Sequence, residues 1–177
     1  MSDVKHCCLT IAGSDSGGNA GVQADLRAFH SYGVHGCTVF AALTAQNPMG
    51  VSAVHQVPAD FVSAQLDAVL GTYAISALKT GMISDPEVIA AVAEKIAPHP
   101  EIRKVVDPVM VATSGARLMA DEALGALKAK LLPLATVITP NIPEAEVLSG
   151  MRISSRADVH EAAMRMYDAS GCAVLVK

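Results

Sequence analysis

Short apolar runs alternate with longer, alanine-rich amphipathic segments from one end of this chain to the other. The apolar runs are continuous, a pattern typical of strands that are covered on both faces. The amphipathic segments repeat their apolar residues at the period of a helix. Strands that alternate with helices in this way predict an α/β fold, with a mainly parallel sheet between layers of helices.

The predicted strands are Cys7–Ala12, Cys37–Leu43, Ile75–Leu78, Lys104–Val106, Thr136–Thr139 and Cys172–Val176. The predicted helices are Ala20–Tyr32, Ala59–Leu70, Pro86–Ala97, Asp121–Leu131, Pro143–Leu148 and Arg156–Ala169. No linker, repeat or low-complexity tract interrupts the alternation, so we expect one α/β domain over residues 1–177. The last segment, GCAVLVK, is a strand pattern with no helix after it, and we expect the domain to be incomplete at its C-terminus.

Composition and charge argue against two classes of partner. The chain has 13 basic and 17 acidic residues, a net charge of −4, no tryptophan and no cluster of basic residues, so we expect no nucleic-acid binding. The longest apolar run, Val88 to Ala93, is far shorter than the ~20 residues of a membrane-spanning helix. The N-terminus carries no export signal, so we expect a cytoplasmic protein.

The cysteines and histidines show none of the usual metal-binding spacings. The 4 cysteines contain no C-x-x-C pair and the 6 histidines no H-E-x-x-H motif. We therefore expect buried, reduced thiols, with neither disulfides nor a zinc site.

The segments that follow the predicted strands are the place to look for a ligand site, because ligands of parallel α/β sheets bind at the carboxyl ends of the strands. The first of these segments holds four glycines between Gly13 and Gly21 and leads into a helix. Glycine lets a backbone approach a ligand closely, and a helix N-terminus offers free N–H groups. The loop fits neither a Walker A motif nor a dinucleotide fingerprint, and a glycine-rich tight turn explains it equally well.

Four residues near these strand ends have both a binding and a structural interpretation. Asp25 lies at the edge of the apolar face of the first helix, where it is either a structural acid with a partner or a ligand contact. The amide of Gln46 matches the donor and acceptor edge of an aminopyrimidine, or it bonds loop backbone. Met82 and Val109 suit the apolar floor of a pocket, although core packing explains them too.

Acidic residues follow two later strands. Asp107 ends an apolar strand and precedes a proline, so we expect its carboxylate to face the crevice at the strand ends, where it suits Mg²⁺ bound to phosphates. Asn141 and Glu144 have the spacing of a helix N-cap and its N3 partner. Glu144 is alternatively placed to orient a metal-bound water beside a nucleotide phosphate.

Taken together, the motifs resemble a known family. The chain carries, in order, AGSDSGGNAGVQADLRAF, TAQN, KTGM, DPVMVATSG, TPNIPEAEVLSG and VLVK. This series resembles the hydroxymethylpyrimidine/phosphomethylpyrimidine kinases of thiamine biosynthesis, members of the ribokinase-like superfamily. The resemblance implies a three-layer αβα sandwich and an ATP- and Mg²⁺-dependent enzyme, commonly a homodimer. Its substrates would be 4-amino-5-hydroxymethyl-2-methylpyrimidine and the monophosphate of that alcohol.

The resemblance also assigns roles to individual residues. Those implied to line the pyrimidine pocket are Gly13, Ala20, Asp25, Gln46, Met82 and Val109. Those implied near the metal are Asp107 and Glu144, and those implied near the nucleotide are Asn141, Glu144 and Lys177.

Two departures from the family pattern affect the expected activity. Thr113 precedes Ser114 where many relatives have lysine, so a lysine contact to phosphate is not expected. The family's G-T-G-C segment, which supplies an anion hole and a cysteine proposed as catalytic base, is absent, and no cysteine here replaces it. Each lost donor of such a hole costs roughly 10²–10³ in rate, so we expect this chain alone to be catalytically impaired.

Two other functions fit the same residues. A pyridoxal kinase of the same superfamily would share Asp107, Asn141 and Glu144, but would need a pocket for an aldehyde-bearing pyridine around Gln46 and Met82. A non-catalytic pyrimidine-binding module would keep the pocket without the transfer chemistry.

Overall fold

A seven-stranded sheet forms the centre of the fold. The computed structural model describes residues 6–110 and 119–177. The strands are β1 Cys7–Gly13, β2 His35–Asn47, β3 Gly50–Gln56, β4 Ile75–Thr80, β5 Arg103–Val106, β6 Val137–Ile138 and β7 Ala173–Val174. The helices are α1 Gly21–Ser31, α2 Ala59–Leu70, α3 Pro86–Ile96, α4 Asp121–Ala126, α5 Ile142–Ser149 and α6 Arg156–Ser170.

The order of the strands in the sheet places helices on both of its faces. The order is β3-β2-β1-β4-β5-β6-β7, and every neighbouring pair except β2 and β3 is parallel. The chain moves one way along the sheet from β1 to β2, and the other way from β4 to β7. Because parallel crossovers are right-handed, α1 covers one face and the later helices cover the opposite face.

One strand of the sheet was not predicted. β3 pairs antiparallel with β2 at the edge of the sheet, and most of its residues are exposed. An exposed edge strand lacks the continuous apolar run that is typical of a buried strand, so this pattern did not predict β3. β2 also runs to Asn47, beyond the predicted end at Leu43, so Gln46 lies in a strand and not in a loop.

Helix ends follow local sequence rules. Asp85 caps α3 by accepting hydrogen bonds from Glu87 N and Val88 N, and Pro86 occupies the first turn. The predicted helix Asp121–Leu131 is α-helical to Ala126 and continues as a π-helical turn over Leu127–Leu131. No helix among the described residues has the length and apolar character needed to cross a membrane.

Candidate active site

A cavity of about 360 Å³ lies at the carboxyl edge of the sheet. It is the size of a small-molecule site. Its walls include all the residues predicted for the pyrimidine pocket, namely Gly13, Ala20, Asp25, Gln46, Met82 and Val109, together with Asp107. The parallel strands end at this edge, which is why segments far apart in the sequence meet here.

The glycine-rich loop is held in shape by a buried carboxylate. Asp15 is only 3% exposed. Its Oδ1 accepts a hydrogen bond of 2.8 Å from Gly17 N, and its Oδ2 accepts bonds of 2.8 Å from the backbone N–H groups of Asn19 and Ala20. Gln23 braces the same loop by accepting a bond from Asp15 N at 2.9 Å. The loop is therefore fixed before any ligand arrives. Asp15 was not predicted, although aspartate in a glycine- and serine-rich stretch is a recognised turn signal.

Gly21 joins this loop to α1 at a point where no other residue fits. Its φ is +59°, and a Cβ added there would lie 2.4 Å from the carbonyl oxygen of Gly13. The two ends of the loop touch at this position. The tight-turn interpretation of the glycines therefore accounts for Gly21, while Gly13 lines the cavity itself.

Asp25 has two partners and still borders the cavity. Its Oδ2 accepts a hydrogen bond of 2.6 Å from the Thr10 hydroxyl and forms a 3.0 Å ion pair with Lys79 Nζ. Its Oδ1 accepts no hydrogen bond from any residue that the structure describes. Asp25 is therefore a structural acid with one oxygen left for a ligand. Lys79, which also lines the cavity, was not predicted.

Removing the Asp25 carboxylate tests the structural role of this side chain. We expect Asp25→Ala to lower the free energy of unfolding by about 1–3 kcal/mol, because the fully buried Thr10 hydroxyl loses its partner. Asp67→Ala is the matched control, since Asp67 pairs with Lys95 at 2.6 Å but is 61% exposed, and exposed pairs contribute roughly 0–1 kcal/mol. Urea unfolding followed by circular dichroism measures both. Equal losses in the two variants would contradict this assignment.

Gln46 projects from β2 with its side-chain oxygen already engaged. That oxygen lies 3.2 Å from the Thr44 hydroxyl, whose single proton is shared between this contact and the shorter 2.7 Å bond to the carbonyl of Ser14. The Gln46 backbone bonds the Ser16 hydroxyl at 2.7 Å, so this strand and the glycine-rich loop are fastened together. The amide NH₂ of Gln46 donates to no described residue.

Asp107 lies at the boundary between the cavity and the last strands. Its Oδ1 accepts a 2.8 Å bond from Lys177 Nζ and a 3.3 Å bond from the Thr139 hydroxyl. Lys177 is held there by its own backbone, which donates to the carbonyl of Pro140 at 2.9 Å. An ammonium group thus lies against the carboxylate that the sequence assigned to a metal.

Asn141 and Glu144 form the predicted capping box at the start of α5. Glu144 is 3% exposed, its Oε2 accepts from Asn141 N at 2.9 Å, and its Oε1 accepts from Met110 N at 3.3 Å. Asn141, Glu144 and Lys177 are absent from the cavity wall, but Lys177 bonds Asp107 and Glu144 bonds Met110. Thr113 and Ser114 lie outside the described residues.

The residues around Asp107 suit a hard cation. Carboxylate and hydroxyl oxygens are the ligands that Mg²⁺ prefers, and this ion is usually held by one or two carboxylates together with substrate phosphates. Asp107 and Thr139 offer such oxygens, and Asp107 Oδ2 carries no bond from a described residue. Glu144 uses both of its oxygens on backbone N–H groups, so it is suited to hold the site in shape.

Comparison with known proteins agrees with this geometry. A family model described as phosphomethylpyrimidine kinase matches residues 15–177. The chain belongs to this family. Among curated phosphomethylpyrimidine kinases, it is 47% identical over 177 residues to the hydroxymethylpyrimidine/phosphomethylpyrimidine kinase of Haemophilus influenzae and 45% identical over 169 residues to that of Bacillus subtilis. It covers 65% and 62% of the lengths of these two relatives.

Solved structures of this family and of pyridoxal kinases share the fold. The phosphomethylpyrimidine kinase of Clostridium difficile superposes with a TM-score of 0.90 at 41% identity, with 97% of this chain and 74% of that chain covered. A pyridoxal kinase of Staphylococcus aureus in complex with pyridoxal gives a TM-score of 0.86 at 34% identity, with 97% and 62% covered. The predicted ribokinase-like α/β fold is confirmed.

Proposed function

We propose that this chain supplies the pyrimidine pocket and part of the nucleotide-phosphate site of a kinase of thiamine biosynthesis. The reaction transfers a phosphoryl group from ATP to 4-amino-5-hydroxymethyl-2-methylpyrimidine and then to its monophosphate. The observation that carries the proposal is the convergence of seven predicted residues, from Gly13 to Val109, on one cavity. Family membership supports the same activity.

The cavity offers the groups that an aminopyrimidine needs. The free NH₂ of Gln46 donates to a ring nitrogen, and the oxygen of the same amide accepts from the exocyclic amine. The contact with the Thr44 hydroxyl restrains the orientation of this amide. Met82, Val109 and Ala20 supply apolar surface for the ring and its methyl group. In this arrangement Asp25 Oδ1 is an acceptor for a second polar group of the substrate.

The phosphate side of the site centres on Asp107. We propose Asp107 as the direct ligand of Mg²⁺, and Glu144 as a positioning residue that fixes the Met110 and Asn141 backbone around the ion. When bound, ATP would supply the phosphoryl group, and Mg²⁺ would neutralise the charge that develops during its transfer. Lys177 Nζ pairs with the Asp107 carboxylate. Once Mg²⁺ takes the place of this ammonium group on Asp107, Lys177 is available to bind a phosphate oxygen of ATP.

A titration of the pyrimidine alcohol into the protein tests the pocket. We expect the wild-type protein to bind the alcohol and Gln46→Leu to bind it roughly 10–100-fold more weakly. In this variant the ring nitrogen and the exocyclic amine of the bound pyrimidine lose their hydrogen-bond partner, which costs about 1–3 kcal/mol. Gln56→Leu is the control, since Gln56 is exposed on β3 and bonds only Ser84 among described side chains. Isothermal titration calorimetry measures all three. Equal affinities for the two variants would overturn the role of Gln46.

The same calorimeter separates this function from its alternatives. Pyridoxal kinases share the fold, so pyridoxal is titrated in parallel, and binding of pyridoxal alone would replace the pyrimidine proposal. Because the chain alone is expected to be catalytically impaired, binding of Mg²⁺·ATP is the readout for the kinase, and pyrimidine binding without Mg²⁺·ATP binding would favour a non-catalytic binding module. A homodimeric state and a cytoplasmic location stay predictions.

A further inference from the structure

A second group of ligating side chains lies at the amino ends of β1 and β2, the opposite end of these strands from the cavity. Cys7 begins β1, and His35 and Cys37 begin β2. Among the described residues, these three form the only group of three or more metal-ligating side chains close enough to share an ion, with ligand atoms within 4.8 Å of one another. The length of β1, at ~3.3 Å per residue, separates them from the cavity by about 20 Å.

The register of the sheet explains why these residues meet. Cys7 pairs with His35 across the parallel β1–β2 ladder, and Cys37 lies two residues further along β2. Residues two apart on a strand share a face, so all three side chains project to the same side. The Sγ atoms of Cys7 and Cys37 are 3.5 Å apart.

That distance suits a bridging metal better than a disulfide. A strand spacing of ~4.8 Å and an offset of two residues put the two α-carbons about 8 Å apart, beyond the ~7 Å limit for a disulfide without backbone movement. Two thiolates on a tetrahedral zinc ion, each ~2.3 Å from the metal, lie about 3.8 Å from one another. The observed sulfur separation is close to this value.

The two thiols lie inside the protein and the imidazole lies at its surface. Cys7 and Cys37 are buried in the main apolar core. His35 is exposed and its ring stacks on Tyr73 with the ring centroids 5.6 Å apart, so the imidazole lies beside the two thiols on the solvent side.

We propose that Cys7, His35 and Cys37 form a binding site for a thiolate-preferring divalent cation of the zinc class. Two thiolate sulfurs and one imidazole nitrogen bind the ion, and the fourth position remains open to water. Both thiol protons are released to solvent as the Zn–S bonds form. The bound ion ties β1 to β2 at the edge remote from the cavity. This site is independent of the proposed function. It departs from the sequence-based expectation of no zinc site, because strand register and not spacing along the chain brings the ligands together.

Titration of reduced protein with Co²⁺ and then Zn²⁺ tests the site, with excess Mg²⁺ present to occupy oxygen-ligand sites. We expect one Co²⁺ per chain with thiolate-to-cobalt charge-transfer absorption in the near ultraviolet, which Zn²⁺ abolishes by displacement. Cys7→Ala and Cys37→Ala should each weaken Zn²⁺ by more than the ~10–100-fold lost with an outer hydrogen-bond partner of a ligand. His35→Ala should weaken it about tenfold or more, and because His35 is exposed this variant keeps the test valid if a cysteine variant does not fold.

Two other cysteines provide matched controls. Cys172 is buried like Cys37 but lies next to β7, and Cys8 adjoins Cys7 but projects to the opposite face of β1. We expect Cys172→Ala and Cys8→Ala to bind Zn²⁺ as wild type does. Co²⁺ binding without charge-transfer absorption, full absorption in Cys37→Ala, or an unchanged affinity in His35→Ala would overturn the proposal.

Discussion

Gly21→Ala is expected to disable the pocket and destabilise the fold together. The left-handed φ of +59° strains any side chain, and the new Cβ would lie 2.4 Å from the carbonyl oxygen of Gly13 and 3.1 Å from Asp15 N. The loop must shift, and the hydrogen bonds that Asp15 accepts shift with it. We expect a loss of about 2–4 kcal/mol in the free energy of unfolding, the sum of backbone strain and steric overlap.

Pyrimidine binding should weaken as well in this variant. We expect a roughly 10–100-fold weaker affinity, because Gly13 and Ala20 line the cavity and both move when the loop does. Calorimetric titration with the pyrimidine alcohol measures this loss, and urea unfolding measures the stability.

Gly33→Ala is the matched control for Gly21. Gly33 has nearly the same φ, +68°, but a Cβ there meets nothing within 4 Å. We expect a loss of about 1–2 kcal/mol from backbone strain alone, with pyrimidine binding unchanged. If Gly33→Ala lowers the free energy of unfolding and the pyrimidine affinity as much as Gly21→Ala does, the close approach of Gly21 to Gly13 is not required for binding.

Glu144→Ala is expected to lower the free energy of unfolding strongly. The variant leaves the N–H groups of Met110 and Asn141 without their acceptor in a place where the carboxylate was only 3% exposed. Each buried donor left unsatisfied costs about 1–3 kcal/mol, so we expect a total loss of about 2–5 kcal/mol in urea unfolding. Glu144→Gln keeps one acceptor oxygen and should lose less.

Asp158→Ala is the corresponding control, because Asp158 has the same N3 role in the capping box of α6. Its partners, Ser154 and Ser155, are exposed, so water replaces the lost acceptor and the effect on unfolding should be much smaller. Binding of Mg²⁺·ATP, measured by calorimetry, should fall in the Glu144 variants and stay unchanged in Asp158→Ala. Comparable unfolding losses for Glu144→Ala and Asp158→Ala would show that burial of the Glu144 cap is unimportant.

The candidate site could be located from the sequence to a large extent, because most of its residues lie at the carboxyl ends of strands or in the segments that follow them. Asp25, Gln46 and Asp107 were each open to a binding interpretation and line one cavity. Their partners could not be foreseen: Lys79 is 54 positions from Asp25, and Lys177 is 70 positions from Asp107. No local pattern encodes such pairs, since they depend on which strands become neighbours and in what register.

The amino-acid sequence alone determined the alternation of strands and helices, the capping box at Asn141 and Glu144, and the edge of the sheet where ligands would bind. These features follow from hydrophobic period and short-range hydrogen bonding, which act within a few residues. Tertiary structure decided the exposed strand β3, the anchoring of the glycine-rich loop by Asp15, and the meeting of Cys7 with His35 and Cys37. Those features depend on burial and strand register, which exist only once the sheet has assembled.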